Sequence, residues 1–280
     1  MAIGLSNAFV TLFDAEVKQA YQAKAQLVGA VRTRTGVEGS TAKFPKVGKG
    51  VASVRIPQTD VTPLNVDFSQ VTATLTDYNA AEYSDIFMQQ KVNFDERQEL
   101  VQVVANAIGR RQDQLVIDAL EGSSTSLTVA NSIGGANTNL NVAKLREAKK
   151  LLDGKNVPPQ DRHIILHANN LAALLGETEA TSVDFNSVKA LVSGEINTYL
   201  GFTFHTLGDR SEGGLTIDGS SDRTVMAFHK DAIGYAEGLA PKTEINYVPE
   251  KTSFLVNAMF SAGAVAIDAE GIVDITCRES

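Results

Sequence analysis

Residues 93–122 read NFDERQELVQVVANAIGRRQDQLVIDALEG, and this stretch decides the fold. Asn93 can cap a helix, and Glu96 three residues on gives a capping-box spacing. Asp95, Glu96 and Glu99 complement the positive end of the helix dipole. Leu100, Val104, Ile108, Leu115 and Ala119 form an apolar stripe, and Gly122 terminates it. A helix of about 28 residues is a rod of roughly 40 Å. That is longer than an ordinary globular helix and suits a structural spine.

Upstream the chain changes character. Six cations, Arg32, Arg34, Lys43, Lys46, Lys49 and Arg55, stand between residues 32 and 55 against one acid, Glu38. Residues 1–60 carry a net +4, and residues 61–280 a net −12. A monomer gains little from that split. A subunit that lays a basic arm on an acidic neighbour gains orientation and specificity. These six cations are the candidate intersubunit contacts, together with Arg110 and Arg111 in the spine, for which DNA contact and ion pairs within or between subunits are the alternatives.

Residues 36–77 carry Gly36, Gly39, Gly48, Gly50, Pro45, Pro57 and Pro63 among short β-prone runs. Val51–Ile56 and Val71–Thr76 read as strands, and Lys46–Gly50 as a hairpin tip. The segment has few large apolar residues for a core of its own, so it needs a partner. Before it, Phe9, Leu12, Phe13, Val17, Ala20, Tyr21, Ala25 and Val28 recur at helical spacing, predicting an amphipathic arm helix over 5–28.

Downstream, a Ser/Thr/Asn/Gly-rich loop covers 123–139. A helix is predicted from Asn141 to Asp153, a strand over Arg162–His167, and a helix capped by Asn169. Residues 197–207 read as strand-like. A hairpin is expected around Asp218–Ser221, and three or four strands over Thr243–Cys277. The class is α+β.

A chain of 280 residues with net charge −8 can bury a substantial core and does not look like a whole-surface nucleic-acid binder. No run of about 18 apolar residues exists, so no helix is expected to span a membrane, and no membrane partner is expected. Residues 1–6 carry no basic region followed by an apolar one, so no secretory signal is expected. The single cysteine, Cys277, fits a reducing compartment and a small buried apolar role.

Chemical motifs are weak. His163 and His167 have metal-ligand spacing only on a helix; on a strand they lie about 13 Å apart. Gly48-Lys49-Gly50 lacks phosphate-loop spacing. His205, His229, Asp209 and Ser211 could be drawn as a triad, but nothing brings them together in sequence. Asp209, Glu212, Asp218 and Asp222 lack calcium-loop spacing. No catalytic, cofactor or metal residues are assigned, and no cofactor is expected.

The order of parts resembles a tailed-bacteriophage major capsid protein of the Hong Kong 97-type fold. The local likeness lies in Gly4–Phe9, Lys91–Arg97 and Glu270–Ile275. The resemblance implies an N-terminal arm (1–35), an extended β-loop (36–77) and a peripheral domain (78–160) including the spine at 93–122. It further implies an axial domain (161–254) and returning peripheral strands (255–280). It implies self-assembly into hexamers and pentamers of an icosahedral shell around double-stranded DNA touched non-specifically, in a virion assembled in the bacterial host cytoplasm. Portal and decoration proteins are implied partners. Because the chain starts directly with its arm, a separate scaffolding protein is expected. The family's lysine–asparagine cross-link is not carried over, because no motif identifies a partner for Lys43, Lys46 or Lys49. An encapsulin-type nanocompartment with the same fold, and an α+β enzyme, are the alternatives.

Overall fold

The computed structural model describes residues 22, 24–58, 60–61, 63–91, 95–177, 198–210 and 212–279. In chain order the elements are β1 (Arg32–Arg34), β2 (Thr41–Val47), β3 (Phe68–Thr74), β4 (Thr76–Asp85), α1 (Ile86–Gln89), α2 (Glu96–Glu121), β5 (Thr128–Val129), α3 (Val142–Gly154), β6 (Arg162–His167), α4 (Ala168–Leu175), β7 (Thr198–Tyr199), β8 (Phe202–Leu207), β9 (Asp222–His229), β10 (Ile233–Val248), β11 (Ser253–Ala266) and β12 (Ile272–Arg278).

The spine forms as α2, 26 residues and about 40 Å long. Its N-cap is Asp95, whose carboxylate accepts the Arg97 N–H. Asn93 lies outside the described residues. The buried face runs through Val104, Ile108, Gln112, Asp113, Val116, Ile117 and Leu120, while Leu115 and Ala119 are only half-buried. The expected stripe is right in its first half and rotated in its second, because Gln112 and Asp113 put polar residues on the buried side.

Helix α2 lies across a four-stranded sheet ordered β1-β10-β11-β4, in which β1 runs parallel to β10 and the other pairs are antiparallel. Val256, Ala258 and Phe260 of β11 meet Val104, Ile108 and Val116 of the helix in one core. Strand β10 begins at Ile233, ten residues before the predicted strand region, which holds three strands, β10, β11 and β12, as expected.

The second sheet has six strands, ordered β5-β12-β9-β6-β8-β7. Its central β6 is apolar on both faces, as a strand covered twice must be. Ile165 turns to the α2 side, while Ile164 and Leu166 turn to the side covered by α3 and α4 with Leu145, Leu152 and Leu174. Helix α3 starts as predicted, with Asn141 Oδ1 accepting the Lys144 N–H at 2.8 Å. Helix α4 is capped by His167, not Asn169: its Nδ1 accepts the Asn169 N–H, and Asn170 Oδ1 accepts the His167 N–H.

Three expectations need correction. The arm helix is not present in its described part: 24–27 is irregular and Val28–Ala30 is a single 3-10 turn, and the remainder lies outside the described residues. Residues 51–56 form no strand in this subunit; the ladder pairs Thr41–Val47 with Phe68–Thr74. Lys46–Gly50 is accordingly the end of that ladder, closed by Gly48 N–H to Asp67 O at 2.7 Å, and not a tip. The returning stretch 255–279 contributes strands to both sheets. β11 joins the four-stranded one, but β12 pairs with β9 and β5 in the six-stranded one. Helix α3 packs with β12. Val273, Ile275 and Cys277 of β12 carry the apolar face that α3 needs.

Candidate subunit interface

The β2–β3 ribbon is fixed at its root. Phe44, Ala42 and Ala73 are buried against Ala236 and Ile267 of the four-stranded sheet's end. Two glycines make room: a Cβ on Gly234 would lie 2.8 Å from the Phe44 ring, and one on Gly263 2.0 Å from Thr74 O. Lys46 pairs with Asp268 at 2.8 Å and Lys49 with Glu270 at 2.6 Å, and Lys155 reaches Glu270 at 3.2 Å. Hydrogen bonds from Lys49 and Lys155 hold the Glu270 carboxyl down at about 2.

Beyond Gly48 the described residues of 49–66 form a loop with little cover from their own subunit. Val51 is 86% exposed, Val54 93%, Val61 89% and, where the ladder resumes, Phe68 80%. A second apolar area lies at the other end of the four-stranded sheet, where Tyr83, Phe87, Met88, Ile245 and Tyr247 are each at least 41% exposed. Scattered single apolar residues need no explanation, but contiguous ones mark contact surfaces.

The candidate cations separate into three groups. Arg32 and Arg55 are exposed, and Arg34 donates to the Lys43 carbonyl at 3.0 Å. Lys46 and Lys49 serve the root of their own ribbon. Arg110 and Arg111 make contacts within their own subunit, in one hub. Arg110 reaches Gln22 Oε1 at 3.4 Å. Arg111 meets Glu212 at 3.3 Å and lies over the Tyr78 ring, 4.6 Å from its centre.

The hub's centre is Asp113, which the sequence reading missed. It is fully buried in mid-spine. Its Oδ1 accepts the Gln26 and Leu27 N–H groups at 3.0 Å each, and its Oδ2 pairs with Arg210 at 3.1 Å. One turn earlier a Cβ on Gly109 would lie 3.1 Å from Ala25 N, so the arm crosses the spine where glycine permits it. Gly213, at φ +73°, approaches Arg110 O from the other side and donates to Gln114 Oε1 at 2.7 Å. An acid in a charged helix reads as solvated face; the nearby Gly109 was the available signal.

The histidine and acidic motifs have separate structural roles. His163 Nδ1 lies 3.1 Å from His205 Nε2, and burial together with His205 lowers the His163 imidazole to about 4. His229 caps a 3-10 turn at Asp231, Asp209 Oδ1 lies 3.0 Å from His167 Nε2, and Ser211 lies outside the described residues, so no triad assembles from the described members. Asp222 pairs with Arg278, and Glu212 with Arg111. Among the described residues no group of three or more His, Cys, Asp or Glu side chains is placed to hold a metal ion, and no helix is long and apolar enough to cross a membrane. Cys277 is buried and free, as expected, and burial pushes its thiol up to about 12.

Comparison with known proteins follows the same lines. The family profile described as phage capsid protein matches residues 5–279. Among solved structures, the capsid of Helicobacter pylori bacteriophage KHP30 superposes at TM-score 0.77 and 12% identity, covering 98% of each chain. The capsid of cyanophage P-SCSP1u superposes at 0.75 and 17% identity, covering 100% of this chain and 96% of that one. A Mycobacterium phage Che8 structure gives 0.71 and 16%, covering 94% and 95%. No curated protein matches in sequence. At such identities the structural likeness establishes the fold.

Proposed function

This chain belongs to the phage capsid protein family, and on that premise we propose that it closes an icosahedral shell of hexamers and pentamers by laying residues 49–66 of each copy on the next. As a family member it is a major capsid protein: a non-enzymatic, shell-forming subunit of the virion with the Hong Kong 97-type α+β fold. The observation that carries the contact is the exposure of Val51, Val54 and Val61 on a loop whose root is fixed. Ordering that loop costs entropy, which burial against a neighbour offsets.

In this reading the spine and four-stranded sheet are the peripheral domain, and the six-stranded sheet with α3 and α4 is the axial domain. Arg32, Arg34, Lys43 and Arg55 meet neighbouring copies, and Lys46 and Lys49 hold the loop's departure angle. The shell encloses double-stranded DNA, held non-specifically, because an acidic chain binds phosphate weakly. A separate scaffolding protein, a portal and decoration proteins complete assembly in the host cytoplasm.

The test is to replace 49–66 with a two-residue turn joining Gly48 to Asp67, whose backbones already meet. The subunit is expected to stay folded and to form no shells. Shells of normal diameter from this variant would overturn the loop's role.

A further inference from the structure

Strands with open edges are a hazard that proteins ordinarily guard with proline, lysine, bulges or shortness. Most edges here are guarded. β5 and β7 have two residues each. The free side of β10 beyond Ala236 carries Pro241, Lys242 and two register shifts. β2 carries Lys43, Pro45 and Lys46. β3 runs close against β11 at Gly263.

Among the described strands β4 is the exception. It is the outer strand of its sheet, ten residues long, and its register with β11 runs unbroken from Thr76 to Asp85. It contains no Lys, Arg or Pro, and three acids: Asp77, Glu82 and Asp85. The same chain holds a β-prone run, Val51–Arg55, that is exposed and in no strand of its own subunit. That run ends in Arg55, while the nearby Lys49 is held by Glu270 of its own subunit.

We propose that the loop of one copy adds to the outer edge of β4 of the next copy as a fifth strand, pairing backbone with backbone over 51–55. This rests on the shell reading above and says what the contact is made of. Main-chain bonds supply the pairing, and Arg55 against the edge acids supplies its direction. Pairing of β4 with β4 of a second copy is disfavoured, because it would set three acids against three.

Two measurements test it. The first is hydrogen exchange on purified subunits and on shells made from them. Alternate amides of β4 already bond to β11; the other set, facing outward, is expected to gain protection in shells together with alternate amides of 51–55. The second uses Ser53→Pro and Val54→Pro as separate variants. An added strand turns only every second N–H to its partner, so one proline removes a pairing bond and its neighbour does not. One variant is expected to slow assembly roughly tenfold, the equivalent of one net hydrogen bond of about 1.4 kcal/mol, and the other to assemble as the parent does. Equal effects from both prolines, or shells whose outward β4 amides exchange as in the free subunit, would overturn the proposal and leave the shell reading standing. Protection that arises only when a second phage protein is added would replace the second copy as occupant. Absence of shells under every condition would remove the reading beneath it.

Discussion

Asp113 is fully buried on a helix whose neighbours are charged, and its environment explains why it is tolerated. Two backbone N–H groups and the Arg210 guanidinium satisfy it. Asp113→Ala leaves Arg210 buried without its partner and frees the arm's entry point. Breaking a buried pair from one side costs about 3–5 kcal/mol, so denaturant unfolding of Asp113→Ala is expected to show a loss of that order. The exposed control Asp118→Ala should lose under about 0.5 kcal/mol. Asp274 shows the opposite behaviour. Burial raises its carboxyl from 3.8 to about 6, Glu121 adds repulsion, and its Oδ1 has no hydrogen-bond partner. A folded-state pKa above the unfolded one means the fold prefers the protonated acid. That preference contributes fully below pH 4 and is lost as pH rises through 6. Asp274→Asn is therefore expected to raise stability at pH 8 by about 2 kcal/mol, and to change little at pH 4. A gain that grows toward acid would contradict the assignment. Neither residue was legible in the sequence, because an isolated Asp carries no local sign of burial.

At the scale of elements, local chemistry was readable wherever it is local. Gly122 ends the spine and Asn141 caps α3 as their types predict. The apolar run Ile164–Leu166 marked a strand, because both of its faces are covered. What could not be read was pairing. Val51–Arg55 has strand composition, yet forms no strand in its own subunit. The glycines at 234 and 263 gave no hint that a ribbon would dock on them. Docking is a small, separate core: Phe44 with Ala42, Ala73, Ala236 and Ile267. Phe44→Ala is expected to cost about 3 kcal/mol of ribbon docking. Limited proteolysis should then cut within 36–77 many times faster, while the spine's helical circular dichroism is retained. Collapse of the whole fold would show that the ribbon is part of the main core.

The whole molecule spends much of its charge asymmetry internally. Lys46 and Lys49 neutralise Asp268 and Glu270 of the same chain, so the basic arm offers neighbours less charge than its composition suggests. Exposed pairs of this kind are screened by salt. Assembly should therefore slow by only a few-fold between low and moderate ionic strength, as light-scattering time courses would show. A rate that is indifferent to salt would remove charge from the contact altogether. Charge polarity along the chain was legible from composition, but its division between internal and external partners needed the fold, since the lysines and their acids are more than 200 residues apart.

The central claim is that copies of this chain close a shell through the 49–66 loop. Electron microscopy of the purified full-length protein beside the variant with that loop replaced by a turn tests it most directly. The account predicts uniform closed shells, or rings of hexamer and pentamer size, from the full chain, and only dispersed folded subunits from the variant. A full chain that stays monomeric with or without candidate scaffolds, or a variant that builds shells of the same diameter, would contradict it.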